Sequence, residues 1–554
     1  MPAKFSLSMI ALLTLSYSSL SLATVTLDGH SITPAIIASI ADGEAVAIAP
    51  AAAERVKKAH QVLIEAAQNG QKIYGLTVGV GLNKDRPMVD VHGKLTDEVV
   101  AASRKFNIGL LHAHSGGTGE PMSQRVARAT MVTRLNALLT GGGGVQPEVI
   151  DAYVAFLNKG ITPVIPRDGS VGEGDITVIS HVGLAMTGEG DVYYQGKKVP
   201  AQAALTSSKT PVVAPYAKDA LSILSSNAYS AASAALALNS LAYFLPLNSL
   251  MYAISLEALN GNVSPFLKNT LALRPYPEVV AMGEHLRNLL DGSSLWQHDD
   301  NRPLQDPLSF RSGVYLLAEL QRSYQQAYDQ LLVQLNSSDD NPGVAIGVAA
   351  PTDRPQDKLG YVDQSGVKGA VLPTANFEPL PWVLSFEQLS LALAHNSLAN
   401  AQQVVKLNNP SFTGLTRFLG TDNTVHAFGA MEKPVMSLAM RNRELAMPVS
   451  MDYMPVAGDI EDIATNAPQV AERLQQQIDN SYQLLGILLV HNAQALDLRK
   501  QKNNGFAMSA PTSALYDAVR KQVKFMDTDQ PLSPDFSAAA QVLREFDVQS
   551  VKAK

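Results

Sequence analysis

The chain has 554 residues, no cysteine, 46 % hydrophobic and 17 % charged residues, and 43 Lys+Arg against 50 Asp+Glu give a net charge of −7. That composition can bury a large core and is too apolar for a disordered chain. Mild acidity without a long Lys/Arg run argues against nucleic acid as a partner, and the missing cysteines exclude disulfides, thiolate metal sites, iron–sulfur clusters and cysteine nucleophiles.

At the N-terminus, an apolar run from Ser8 to Leu22 follows the single positive charge of Lys4 and ends in Ser21-Leu22-Ala23. Small residues at Ser21 and Ala23 fit a signal-peptidase site, which predicts residues 1–23 as a removable leader and a periplasmic protein beginning at Thr24. Ser16, Ser18 and Ser19 interrupt the run, which makes it poor at spanning about 20 residues of hydrocarbon. No membrane partner is expected after cleavage.

Residues 24–220 read as a mixed, loop-rich part, with glycine-rich loops at Gly75 to Gly81, Gly116 to Gly119, Gly141 to Gly144 and Gly169 to Gly174. Residues 221–554 read as a helical bundle. Apolar and aromatic residues at Phe310, Val314, Leu317, Leu320, Tyr324, Tyr328, Leu331 and Leu335 are spaced by threes and fours. A second stripe runs through Val470, Leu474, Ile478, Tyr482, Leu485, Leu489 and Leu496. Such spacing makes one face of a helix apolar. Segments 221–258 and 383–407 are apolar nearly all round, as expected of helices enclosed in a bundle. The fold class is mainly α, built on long helices, with the chemistry carried by loops.

Several loops hold groups able to move a proton or bind an anion. Tyr74 opens Tyr74-Gly75-Leu76-Thr77-Val78-Gly79-Val80-Gly81, where glycines let the backbone bring a phenol against a ligand. His112 and His114 stand two apart without an evident third ligand, so no metal is expected. Arg311, in Gln305-Asp306-Pro307-Leu308-Ser309-Phe310-Arg311, suits a carboxylate through two parallel hydrogen bonds. Asn341 lies in a run that caps and turns a helix, and Glu461-Asp462 stands where its charge complements a helix dipole. Taken singly, each of these has an adequate structural reading.

In combination and order they resemble the aromatic amino acid lyase superfamily, and histidine ammonia-lyases most closely. The family's Tyr-Gly-x-x-x-Gly-x-Gly loop is matched by Tyr74 to Gly81, and its Ser-His-Ala-x-Gly-x-Gly-Glu-Pro stretch by Ala113 to Pro121. Arg134-Leu135-Asn136, Pro163 to Pro166, Gly169 to Gly172, Gly188-Glu189-Gly190, Gln305-Asp306-Pro307, Ser309-Phe310-Arg311, Asp340-Asn341-Pro342, Asn376-Phe377 and Glu461-Asp462 follow in the family's order. The resemblance implies a homotetramer with active sites assembled from several subunits. It also implies an amino-acid-like small molecule as substrate. By the same resemblance Tyr74 removes a β-proton, Arg311 and Asn341 bind the carboxylate, His114 with Glu461 meets an imidazole-like ring, and Gln305 and Phe377 line the site.

Three departures change the expected chemistry. Family enzymes cyclise an internal Ala-Ser-Gly into the electrophile methylideneimidazolone, but this chain reads Gly172-Glu173-Gly174-Asp175, with one residue where the family has two. The serine that must dehydrate is missing, so no such group is expected. Ser225 stands where the family has an Asn to the electrophile's oxygen, and Leu308 replaces a Tyr. The pattern resembles ergothionases, relatives that release trimethylamine from a histidine betaine without the electrophile. Lys433 has two readings, an acid in proton transfer or an exposed lysine at a helix start. The expected function is a carbon–nitrogen lyase acting on an imidazole- or aromatic-ring amino acid or its betaine. The alternatives are a histidine ammonia-lyase with a variant electrophile and a silent periplasmic binding protein.

Overall fold

The computed structural model describes residues 24–88, 96–364 and 366–551. The predicted leader, residues 1–23, lies outside them. Nine helices carry the argument: α1 (Asp97–His114), α2 (Gln124–Leu139), α3 (Ile176–Met186), α4 (Ala228–Leu259), α5 (Gly313–Leu335), α6 (Leu380–Leu407), α7 (Glu432–Leu445), α8 (Ala467–Lys502) and α9 (Ser533–Glu545).

Local sequence explains where they begin. The Thr96 hydroxyl accepts the Val99 N–H, and Asp97 and Glu98 put negative charge into the first turn of α1. Ser123 caps α2 in the same way. The 36 residues of α8 make it about 54 Å long. The whole predicted stripe from Val470 to Leu496 is buried along it. It packs against α4, α6, α7 and α9, while α5 lies on α6 and α2 on α4.

The helix α4 is enclosed almost all round, as its Ala/Leu/Ser composition requires. With the turn before it, Asp219–Leu259 is long and apolar enough to cross a membrane, yet 67 % of its apolar window is buried inside the protein. Arg311 ends a separate turn, Leu308–Arg311, and the long helix starts only at Gly313, with Ser312 between the two. The strands form four small sheets of two or three strands, mostly in the loop-rich part before Pro200. The main core runs from Leu27 to Leu543, so residues 24–220 and 221–554 share it.

One helix departs from the sequence reading. Although α6 is apolar nearly all round, Leu384, Leu391 and Leu398 are 51 %, 45 % and 46 % exposed. Their seven-residue spacing puts them in one row along the helix.

Candidate active site

A small apolar cluster builds the floor. Leu110 and Leu111 of α1 pack with Ala220, Leu221 and Leu224, and Tyr74, Val80 and Ile176 rest against them. The end of α1, the start of α3 and the Tyr74 loop are thereby brought together.

Tyr74 is half-buried, and its phenolic oxygen accepts the Gly81 N–H at 2.8 Å. Burial raises the phenol's pKa and the nearby Glu461 adds to the rise, while the Gly81 hydrogen bond opposes both. The close turn depends on Gly75, at φ +74°, where a Cβ would sit 2.3 Å from Leu221. At the end of α1, His114 Nδ1 meets the Leu110 carbonyl at 2.8 Å. Burial raises the Glu461 carboxyl and His114 counteracts it. Glu461 is held in its loop by a bridge to Val456, and its carbonyl accepts the Tyr453 hydroxyl at 3.0 Å.

The loop before α3 closes this group. Gly172 at φ +91° lies so close to the start of α8 that a Cβ would meet Ala467 N at 2.7 Å. Asp175, a non-glycine residue at φ +36°, is held there by Ser230, whose N–H and hydroxyl donate to its carboxylate at 2.8 and 2.7 Å. The Ser170 hydroxyl donates to the same carboxylate. Burial pushes Asp175 up to about 6 against these hydrogen bonds. Gly174 N–H donates to Asn227 Oδ1 at 2.8 Å, and its carbonyl accepts the Ser226 N–H at 3.0 Å. Ser225 Oγ lies 3.5 Å from where a Gly174 Cβ would stand, so Ser225 abuts the loop.

Behind the loop stands a buried ionic group. Asp339 accepts the Ser226 hydroxyl at 2.9 Å and the Asn227 N–H at 2.7 Å. Arg134 is fully buried and pairs with Asp339 at 3.1 Å and Asp340 at 2.7 Å. Lys218 lies 3.7 Å from Asp340. The Asn227 side-chain amide donates to the Phe377 carbonyl, which ties the Asn376-Phe377-Glu378 segment to the same loop.

The remaining sequence candidates have other partners. Arg311 donates to the Gln305 side-chain carbonyl on an exposed part of the surface. Among the described residues no hydrogen bond links that pair to Tyr74, His114 or Glu461. Asn341 Oδ1 accepts the Thr374 N–H at 2.9 Å. Lys433 is exposed in the first turn of α7. His112 pairs with Glu189 at 2.8 Å.

Glu173, Glu378 and Tyr453 were not singled out as site groups in the sequence. Burial raises Glu173 to about 8, with Glu378, Glu461 and Asp175 contributing further. Burial also raises Tyr453, which feels Glu461 and Glu173. The one available signal was a charged residue between two glycines in a family loop.

A phenol, an imidazole and several carboxyls around a glycine-held loop are groups able to move protons. The chain belongs to the aromatic amino acid lyase family, whose profile matches residues 32–521, and it is an enzyme of the ammonia-lyase type. It is 30 % identical to a histidine ammonia-lyase of Geobacillus thermodenitrificans over 529 residues, which cover 94 % of this chain and 97 % of that one. An ergothionase of Treponema denticola, solved with desmethyl-ergothioneine sulfonic acid, superposes with a TM-score of 0.83. It is 33 % identical, with 94 % of this chain and 99 % of that one covered. A histidine ammonia-lyase of Trypanosoma cruzi shares the fold at a TM-score of 0.80 and 22 % identity, covering 96 % of this chain and 95 % of that one.

Proposed function

We propose that this enzyme eliminates an amine from a histidine-like or aromatic amino acid, or from its betaine, to leave an acrylate, and that it does so without methylideneimidazolone. The observation that carries the reading is the loop itself. Glu173 occupies the interval between Gly172 and Gly174, where no serine is present to dehydrate. The nearest serine in the loop, Ser170, is engaged by the Asp175 carboxylate and the Gly172 N–H. The likeness to an ergothionase supports a betaine as substrate.

In this reading Tyr74 takes the β-proton, the Cα–N bond breaks with its electron pair going to nitrogen, and the Cα–Cβ double bond forms. A quaternary ammonium leaves as a neutral amine without first being made electrophile-bound. His114 and Glu461 face the ring and steady the charge that builds on it. Tyr74 needs help to ionise, because burial and Glu461 hold its proton on. A cationic substrate supplies that help by Coulomb attraction to the phenolate.

Incubating the protein with histidine, tyrosine, phenylalanine, hercynine and ergothioneine should yield a conjugated acrylate, seen in the ultraviolet, from at least one of them. No product from any would remove the elimination reading and leave the binding-protein alternative. Borohydride and cyanide, which quench methylideneimidazolone, should leave the rate unchanged, and intact mass should show no loss of two waters. Rapid inactivation by either reagent would return the protein to electrophile-dependent chemistry.

We further propose a homotetramer in which Gln305 and Arg311 of one copy approach Tyr74 of another, since among the described residues of one chain no hydrogen bond joins them. The exposed row of Leu384, Leu391 and Leu398 supports this, because soluble chains rarely leave such a stripe to water. Sedimentation should give a tetramer at micromolar concentration, and Leu391→Glu should yield smaller, inactive species. A monomeric, fully active wild type would overturn the arrangement. Arg311→Lys should raise KM by about tenfold with a smaller change in kcat, since a point charge replaces a planar two-donor fork. An unchanged KM would take Arg311 out of the carboxylate site.

A further inference from the structure

The C-terminal ends of α4 and α8 border a cavity of about 650 Å³, which the segments 294–303 and 410–414 complete. It stands at the opposite end of these helices from the chain's own glycine loop, which meets Asn227 and Ala467 at their starts. Among the lining residues, Arg302, Arg499 and Lys502 are cations and Asp299 is the one carboxylate. The cavity is therefore positive on a chain whose net charge is −7. His298, also in the lining, pairs with Asp300 at 2.9 Å.

Helix capping accounts for part of this charge, since cations favour helix C-termini. Arg302 has every N–H engaged. Its Nη1 donates to the Leu295 and Gln297 carbonyls at 2.7 and 3.1 Å, and its Nη2 to the Ser294 carbonyl at 3.3 Å. Its Nε and Nη2 also donate to Asn260 Oδ1 at 3.4 and 3.2 Å. Arg499, only 8 % exposed, is satisfied on one side alone. Its Nη2 donates to the Ala258 and Thr413 carbonyls at 2.8 and 3.0 Å, and its Nε to Ala258 at 3.2 Å. Nη1 has no partner among the described residues and is not sealed in the core. Because Arg499 lines the cavity, that free edge opens onto it.

Lys502 Nζ donates to the Gly414 carbonyl at 2.9 Å and keeps two further N–H groups. Its head neighbours that of Arg499, since the two hold the consecutive carbonyls of Gly414 and Thr413. Asp299 is turned to other partners, accepting the Asn260 amide at 2.7 Å and the Asn301 N–H at 2.9 Å. Burial lowers Arg499 to about 10, which leaves it charged at pH 7. A guanidinium taken out of water with an open edge favours an anion there.

We propose that this cavity binds a phosphate dianion, free or as a small monoester, with Arg499 Nη1 and Lys502 Nζ donating to its oxygens. Arg302 adds charge without a direct contact. Three cations against one carboxylate leave an excess that a dianion balances, and phosphate carries about −1.5 to −2 at pH 7. The volume falls in the range of small-molecule sites, about 300–1,000 Å³, and has room for an esterified group. Nothing in this inference depends on the elimination reaction.

Titration calorimetry on the full chain, with inorganic phosphate and with ribose 5-phosphate, tests it at an ionic strength fixed by sodium chloride. Saturable binding of one ligand per chain is expected. A tighter ester assigns the site to a monoester, and equal affinities assign it to the free ion. Lys502→Gln should weaken binding by about tenfold, the order of one charge-assisted hydrogen bond. Asp299→Asn should tighten it by about threefold or more, because it removes the one repelling carboxylate. Arg499→Gln should abolish it. If that variant unfolds through loss of its bonds to α4, the other two decide, since they move in opposite directions. Binding of neither ligand by the assembled wild type, as when a neighbouring copy covers the cavity, would overturn the proposal. So would an affinity that Lys502→Gln and Asp299→Asn leave unmoved.

Discussion

Tyr74→Phe is expected to lower kcat by about 10²–10⁴-fold with little change in stability, because a positioned acid or base contributes on that order. The substitution keeps the ring that rests against Leu110, Leu221 and Leu224, so the floor of the site stays packed. What is lost is one oxygen, the acceptor of the Gly81 N–H. Gly81 is only half-buried, and water can satisfy its N–H once the phenol is gone. A melting temperature close to that of the wild type, alongside a collapsed kcat, would assign the effect to proton transfer. Full activity of the variant would remove the base on which the elimination depends, whatever the amine. The effect should also outlast a rise in pH, since Phe has no proton to lose. A residual rate that climbs with pH would point to hydroxide or another base reaching the β-carbon.

The sequence exposed the scaffold well because helical spacing is a local property. The stripe from Val470 to Leu496 is a single buried face, and the all-round apolar character of 221–258 became the enclosed α4. The same logic misled at α6, where Leu384, Leu391 and Leu398 look like core residues but face outward in one chain. Hydrophobicity states that a residue avoids water. It does not state whether its cover comes from the same chain. The site was legible only in part for a similar reason. Ordered anchors point to Tyr74, His114 and Glu461 as candidates, but the setting of Glu173 depends on which groups surround it. Glu378 lies more than two hundred positions away and is drawn in through the Asn227–Phe377 hydrogen bond. No spacing rule carries that contact. Arg311 and Gln305 show the converse case, since the resemblance groups them with Tyr74 while their hydrogen bond in one chain is to each other.

Arg134→Met should destabilise the protein by about 3–5 kcal/mol, the usual cost of removing one partner from a buried ion pair. Methionine fills much of the volume, so the loss is electrostatic before it is steric. Burial alone would push Asp340 toward its neutral form. Arg134 and Lys218 together hold it below the ordinary carboxylate value. Lys218 is itself lowered to about 8 by burial, so it cannot replace the guanidinium that also pairs with Asp339. With Arg134 gone, at least one aspartate must take up a proton or stay charged without compensation. A protonated Asp339 is a poorer acceptor for the Asn227 N–H and the Ser226 hydroxyl, and Asn227 in turn holds Gly174. The damage should therefore travel from the core to the Glu173 loop, and kcat should fall in the fraction that remains folded. Urea unfolding measures the first effect, and turnover per folded molecule the second. A variant within about 1 kcal/mol of wild type would mean that the aspartates tolerate isolation, and that the Ser225 to Asn227 turn holds its shape without them.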